Sequence, residues 1–149
     1  MLGPEGKQSV ILLVEDDPGD QELARRASEV AGLRAELRVA SDGAEALDYL
    51  QQRERYAPPG DAPRPDLVLL DLNMPRMDGR ELLRHMRADP QLVSVPVVVL
   101  TTSDQRSDIA ECYKLGCNSY VTKPADLTDF VQCLQRLSAY WFDLVRLPS

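Results

Sequence analysis

Imidazole and thiol groups are scarce in this chain, which has one histidine and three cysteines in 149 residues. His85, Cys112, Cys117 and Cys133 are scattered with no Cys-x-x-Cys spacing, which argues against a zinc site. The cysteines read as reduced packing residues and His85 as a surface residue. Basic residues are in deficit, 17 against 24 acidic, for a net charge of -7. Nucleic acids and anionic membranes call for a basic face, so neither is an expected partner. No apolar run approaches the ~18 residues of a membrane span. Met1 to Ser9 lack the charged start and apolar middle of a secretion signal, so a cytoplasmic location is expected. Internal repeats and low-complexity tracts are absent too.

What the chain does have is four apolar runs that each end on a polar residue. Val10-Ile11-Leu12-Leu13-Val14 runs into Glu15-Asp16, and Leu67-Val68-Leu69-Leu70 into Asp71. Val97-Val98-Val99-Leu100 ends at Thr101, and Tyr120-Val121-Thr122 at Lys123. As parallel strands, all four would present their polar ends at one sheet edge, where ligands bind in open α/β sheets.

Helical patterns separate the runs. Leu23, Ala24, Ala27, Val30 and Ala31 recur at helical spacing behind Pro18, with Gly32 as the stop. Leu37 to Ala40 reads as a second strand, and Asp42 caps a helix with Ala46, Leu47 and Leu50 on one face. Residues 53–65 hold four prolines and a glycine, and read as an exposed loop insert. The segment from Asn73 to Gly79 is a loop leading to a helix with Leu82, Leu83 and Met86. Pro96 opens the fourth strand, and a helix from Asp104 to Leu115 ends at Gly116. Ser119 to Thr122 forms the last strand, and Asp126 caps a helix with Leu127, Phe130, Val131, Leu134 and Leu137 on its stripe. The β-α alternation, five times over, is that of a doubly wound parallel sheet in one domain, residues 1–149.

The chemistry of the shared edge is specific. Crowded carboxylates repel, and one stays protonated unless a cation lies between them. Magnesium, with manganese as the alternative, suits such oxygen ligands. Asp71 is central among the strands and can act as a ligand and as a nucleophile toward phosphorus. Lys123 brings a mobile point charge and Thr101 a hydroxyl donor, both suited to phosphoryl oxygens. The expected chemistry is in-line phosphoryl transfer onto a carboxylate.

These residues resemble the receiver domain of two-component response regulators over nearly the whole chain. Val14-Glu15-Asp16-Asp17-Pro18 is similar to the family's acidic pair, and Leu70-Asp71-Leu72-Asn73-Met74-Pro75 with Met77-Asp78-Gly79 to its phosphorylation signature. Val99-Leu100-Thr101 matches the switch hydroxyl, and Tyr120-Val121-Thr122-Lys123-Pro124 the switch aromatic and the lysine. The resemblance implies a flavodoxin-like sheet of order 2-1-3-4-5 with five helices, the last extended. It also implies Asp71 as phosphoacceptor, Glu15 and Asp16 as magnesium ligands beside it, the carbonyl of Asn73 as a further ligand, and a cis Lys123–Pro124 bond. Thr101 would move toward a phosphoryl group and Tyr120 turn into the vacated space. Thr102 is larger than the residue common at its position, which implies a long-lived phosphorylated form.

No output domain follows within these residues, so output is expected through protein contacts. Residues 138–149 form a C-terminal extension in which Tyr140, Trp141, Phe142, Leu144 and Val145 are surplus apolar bulk. They are expected to line a homodimer seam with the fourth helix, fifth strand and fifth helix. Insert and tail together resemble stand-alone regulators paired with phytochrome-type histidine kinases. That makes the chain a phosphorylation-controlled switch, not an enzyme beyond self-catalysed gain and loss of its own phosphoryl group. Two alternatives stand beside it: a haloacid-dehalogenase-like phosphatase, whose second acid is replaced by Asn73, and a dimeric interaction module independent of phosphorylation. A flavodoxin-like carrier of FMN would need a hydroxyl-rich loop after the first strand, which is missing.

Overall fold

The computed structural model describes residues 8–148. The readings made for the first seven residues and for Ser149 lie outside them. Strands β1 (Val10–Val14), β2 (Glu36–Ala40), β3 (Leu67–Leu70), β4 (Val97–Thr101) and β5 (Ser119–Thr122) alternate with helices α1 (Pro18–Ala31), α2 (Gly43–Leu50), α3 (Gly79–Ala88), α4 (Arg106–Leu115) and α5 (Leu127–Ser138). All strand pairings are parallel, in the order β2-β1-β3-β4-β5. The expected topology is the one observed.

The strand runs are continuously apolar because helices cover both faces. Alternate residues point to opposite sides. Leu12, Val14, Val68, Leu70, Val97 and Val99 join one core with Leu47, Leu82, Leu83 and Met86 of α2 and α3. Ile11, Leu13, Leu67, Leu69, Val98 and Leu100 join the other with Ala24 and Ala27 of α1 and Phe130 and Leu134 of α5. The α1 stripe is narrower than its spacing predicts, since Val30 is 64% exposed. Small alanines let α1 lie close to the sheet, and Val30 falls on the water side.

Helix ends follow their local chemistry. Asp17, Asp42, Asp78 and Asp126 each accept a backbone N–H at the start of α1, α2, α3 and α5. Gly32 and Gly116 close α1 and α4 in the left-handed conformation. Helix α4 starts at Arg106, two residues later than expected.

Residues 53–65 are tied down more than an exposed loop would be. Arg53 to Ala57 flank a single 3₁₀ turn, Glu54–Tyr56, and Ala62 is buried in the α2–α3 side of the core. The Tyr49 hydroxyl donates to the Pro63 carbonyl at 2.7 Å, and the Gln52 amide to that of Ala62 at 3.1 Å. Arg38 pairs with Asp61 at 2.8 Å.

Two arginines fasten α4 at opposite ends. Arg87 of α3 donates to the carbonyls of Gly116, Val93 and Val95 and to Asn118 Oδ1, at 2.8 to 3.1 Å. At the other end, Arg80 bonds Asp108 at 2.9 Å and also Glu111, while Ser103 Oγ donates to Asp108 at 2.5 Å.

The C-terminal extension continues α5 through a π-helical turn, Ala139–Leu144, closed by the Val145 N–H on the Tyr140 carbonyl at 2.9 Å. Trp141 stands four residues beyond Leu137, on the stripe that α5 already turns to the core. It is buried in the α1–α5 core, with Phe142, Val145 and Leu147 packed against that core. Tyr140 and Leu144 stay 49% and 73% exposed. The expectation that all five residues face outward is therefore corrected: three of them complete the chain's own core.

Leu82 is fully buried. Leu82→Ala is expected to cost ~3 kcal/mol of unfolding free energy, and Val30→Ala to stay within ~0.5 kcal/mol of the parent. Urea unfolding measures both.

Candidate functional site

Backbone hydrogen bonds carry the ladder past the strand ends and set the polar residues at one edge. Glu15 N–H donates to the Ala40 carbonyl at 2.9 Å, Asp71 N–H to that of Val14 at 3.1 Å, and Lys123 N–H to that of Thr101 at 2.8 Å. Glu15, Asp71 and Thr101 are all buried. The chain then turns sharply at Gly79, whose N–H donates to the Leu72 carbonyl at 2.9 Å. A Cβ there would lie 2.3 Å from the Asp71 carbonyl oxygen, so only glycine lets α3 start this close to the site.

Lys123 crosses the edge to the acids. Its Nζ lies 2.5 Å from Glu15, 3.1 Å from Asp20 and 3.4 Å from Asp71. Asp71 also accepts the Leu72 N–H at 2.8 Å. Burial pushes the Glu15 carboxyl up to about 7, against the pull of Lys123 and of the Asp17 N–H. Burial works to lower the Lys123 ammonium, but the bond to Glu15 and the charge of Asp71 outweigh it, and Lys123 is held above its ordinary value. The cis Lys123–Pro124 bond implied by the resemblance is not found: the cis bond among the described residues is Pro58–Pro59. The ammonium meets the acids without it.

The donor set fits a hard divalent cation. Carboxylate oxygens of Glu15, Asp16 and Asp71 all lie within 4.8 Å of one another. A buried carboxyl with a raised pKa is relieved by a cation beside it. Thr101 Oγ1 is buried with no hydrogen-bond partner, an orphaned donor at the same edge. Asn73 stands exposed on the loop two residues after Asp71.

Tyr120 lies next to Thr101's strand and is half-buried against the α2–α3 side of the core. Its hydroxyl donates to the Ser103 carbonyl at 2.8 Å.

The response regulator receiver domain family matches residues 11–135. The chain is a response regulator receiver domain. It is 41% identical to the response regulator Rcp1 of Synechocystis sp. over 140 residues, 94% of this chain and 93% of Rcp1. Its fold is similar to that of the phosphorylated cyanobacterial phytochrome response regulator RcpA, with a TM-score of 0.86 and 42% identity. That match covers 95% of this receiver and 99% of RcpA. The Mn²⁺-bound form of Rcp1 aligns with a TM-score of 0.82 at 40% identity, over 95% and 99% of the two chains. Receiver domains of this family take part in two-component signalling, so a histidine kinase stands upstream of this one. No described helix is long and apolar enough to cross a membrane.

The sequence did not single out three members of the receiver's edge. Asp20 reaches Lys123 from the first turn of α1. Gln21 donates to the Glu15 carbonyl at 2.6 Å. Arg76, in the left-handed region at φ 65, bonds the buried Asp42 through Nε at 2.7 Å and steadies the loop after Asp71. The reach of all three depends on how the loops bring the elements together.

The pH dependence follows from Glu15. Its pKa in the folded chain lies above the ordinary 4.5. The stability it contributes is therefore full below about pH 4.5 and lost as pH rises through about 7. A divalent cation counters that loss and must displace the Glu15 proton to bind. The rise in melting temperature on adding magnesium is expected to be larger at about pH 8 than at about pH 5, as thermal denaturation with and without EDTA reads.

Proposed function

We propose that this receiver accepts a phosphoryl group on Asp71 from a histidine kinase of the phytochrome type and signals through altered protein contacts. The observation that carries this reading is the buried Asp71 carboxylate with the Lys123 ammonium 3.4 Å away at the carboxyl edge. The similarity to Rcp1 and RcpA supports the phytochrome pairing.

An Asp71 oxygen attacks phosphorus in line, forming the new P–O bond as the bond to the donor atom breaks and its electron pair leaves with the donor. Lys123 and the Thr101 hydroxyl meet the phosphoryl oxygens. Glu15, Asp16 and Asp71, with the Asn73 carbonyl, would hold magnesium, which when bound neutralises charge on the phosphoryl group. The Mn²⁺-bound form of Rcp1 supports a divalent ion of this kind, and manganese remains the alternative. Thr101, drawn to the phosphoryl group, vacates space that Tyr120 turns into. That links the site to the face of α4, β5 and α5. Thr102, at the exposed rim, slows access to the product and prolongs its life. The chain acts as a switch whose only covalent chemistry is gain and loss of this group, and it works in the cytoplasm.

The same face is the proposed homodimer surface. β5 is an edge strand, and a groove of ≈ 370 Å³ between it and α5 is lined by Val121, Pro124, Cys133 and Leu137. Tyr140 and Leu144 add exposed apolar area beyond it.

Incubation with magnesium and acetyl phosphate is expected to add one phosphoryl group to the intact mass. EDTA should abolish the gain, and Asp71→Asn should lack it. A gain that persists in Asp71→Asn would remove this acceptor, and no gain with the cognate kinase would favour an interaction module independent of phosphorylation. Gel filtration at micromolar concentration is expected to show a dimer in the parent and a larger monomer fraction in Leu144→Asp; a monomeric parent would remove the dimer.

A further inference from the structure

Lys123 has three carboxylate partners, and one of them is not claimed by anything described so far. Glu15 and Asp71 belong with Asp16 to the group that fits a divalent cation. Asp20 is outside that group, yet its Oδ2 lies 3.1 Å from Nζ, closer than Asp71 at 3.4 Å. The Lys123 side chain is 9% exposed and that of Asp20 34%. Water is thus largely kept from the ammonium but reaches the outer side of Asp20.

A cation that engages Glu15 and Asp71 draws on the negative charge the ammonium was using and repels the ammonium as well. Asp20 is then the carboxylate left for it. The lysine carries a point charge on a flexible four-carbon stem, with three donors that can be redirected. It can therefore turn from Asp20 to a phosphoryl oxygen on Asp71, but a full bond to one weakens the other.

We infer that Asp20 is a positioning residue, which holds the Lys123 ammonium in the cation-loaded, unphosphorylated protein and competes with the incoming phosphoryl group for it. The inference rests on the reading of Asp71 as phosphoacceptor. Asp20 touches neither phosphorus nor donor; it acts through the lysine. It raises the barrier to phosphoryl uptake, because the ammonium must leave it on the way to the transition state. Loss of the phosphoryl group starts with the ammonium already transferred, so Asp20 has little part in it.

The test uses the full chain with magnesium and acetyl phosphate, and follows intact mass over time. Asp20→Asn keeps the shape and removes the charge. Uptake is expected to speed up about threefold, the scale of one half-exposed ion pair, while loss after donor removal stays within about twofold. Asp20→Glu, which restores a carboxylate, is expected to return uptake toward the parent rate. Calorimetric titration with Mn²⁺ should give the same affinity for parent and Asp20→Asn. Unchanged or slower uptake in Asp20→Asn would overturn the competition, as would an equal acceleration in Asp20→Glu. A clear loss of Mn²⁺ affinity in Asp20→Asn would instead make Asp20 part of the cation site and overturn the role assigned here. If the parent gained no phosphoryl group while binding Mn²⁺ normally, the acceptor reading itself would fail, and this inference with it.

Discussion

Mutual repulsion among buried carboxylates is the constraint on which the rest of this receiver depends. Glu15 and Asp71 are placed by their strands within a few ångströms of each other, with Asp16 beside them. Left alone, such a group would take up protons or push apart. The Lys123 ammonium offsets part of that repulsion, and is drawn into a buried position of its own. The edge therefore holds charge in tension: it is tolerable with one cation present and more favourable with two. A phosphoryl group brings further negative charge into the same space, which is why a lysine and a divalent ion are both called for.

The packing serves that arrangement. Parallel strands need helices on both faces, and the two cores divide the molecule by strand parity. The face with α2, α3 and α4 lies behind Tyr120 and takes in Ala62 from the insert. The opposite face, with α1 and α5, absorbs the C-terminal extension through Trp141. The polar site residues stand at the carboxyl ends of these strands, where the loops lead into the helices.

Much of this was legible in the residues. Five strands, five helices, the Asp42 and Asp126 caps and the shared polar edge follow from apolar runs, helical spacing and cap chemistry, because each is a local property of a few residues. Val30 was misread because periodicity marks a stripe but not its width; the close seat of Ala24 and Ala27 set how far the stripe extends. The tail was misread for a different reason. Trp141 falls seven residues after Leu134 on the same helical stripe, so its place in the core was legible, but the stripe was ended at Leu137 and the rest taken as surplus. At the site, Glu15, Asp71, Thr101 and Lys123 were found because each ends an apolar run. Asp20 was passed over because it lies within a helix, where an acid near the N-terminus has an ordinary explanation in the helix dipole.

The two arginine fastenings of α4 are unequal in kind. Arg87 reaches the far end through one bond to the Gly116 carbonyl, beside others to Asn118 on the following loop and to Val93 and Val95 on the connection before β4. Arg80 holds the near end through carboxylates of α4 itself, one of which is shared with Ser103 on the loop that follows Thr101. The hold on the first turns is therefore ionic on both sides, while at the last turn the guanidinium meets only uncharged oxygens. Raised salt screens the first and spares the second, so ionic strength weakens the hold on α4 at the end nearer Thr101.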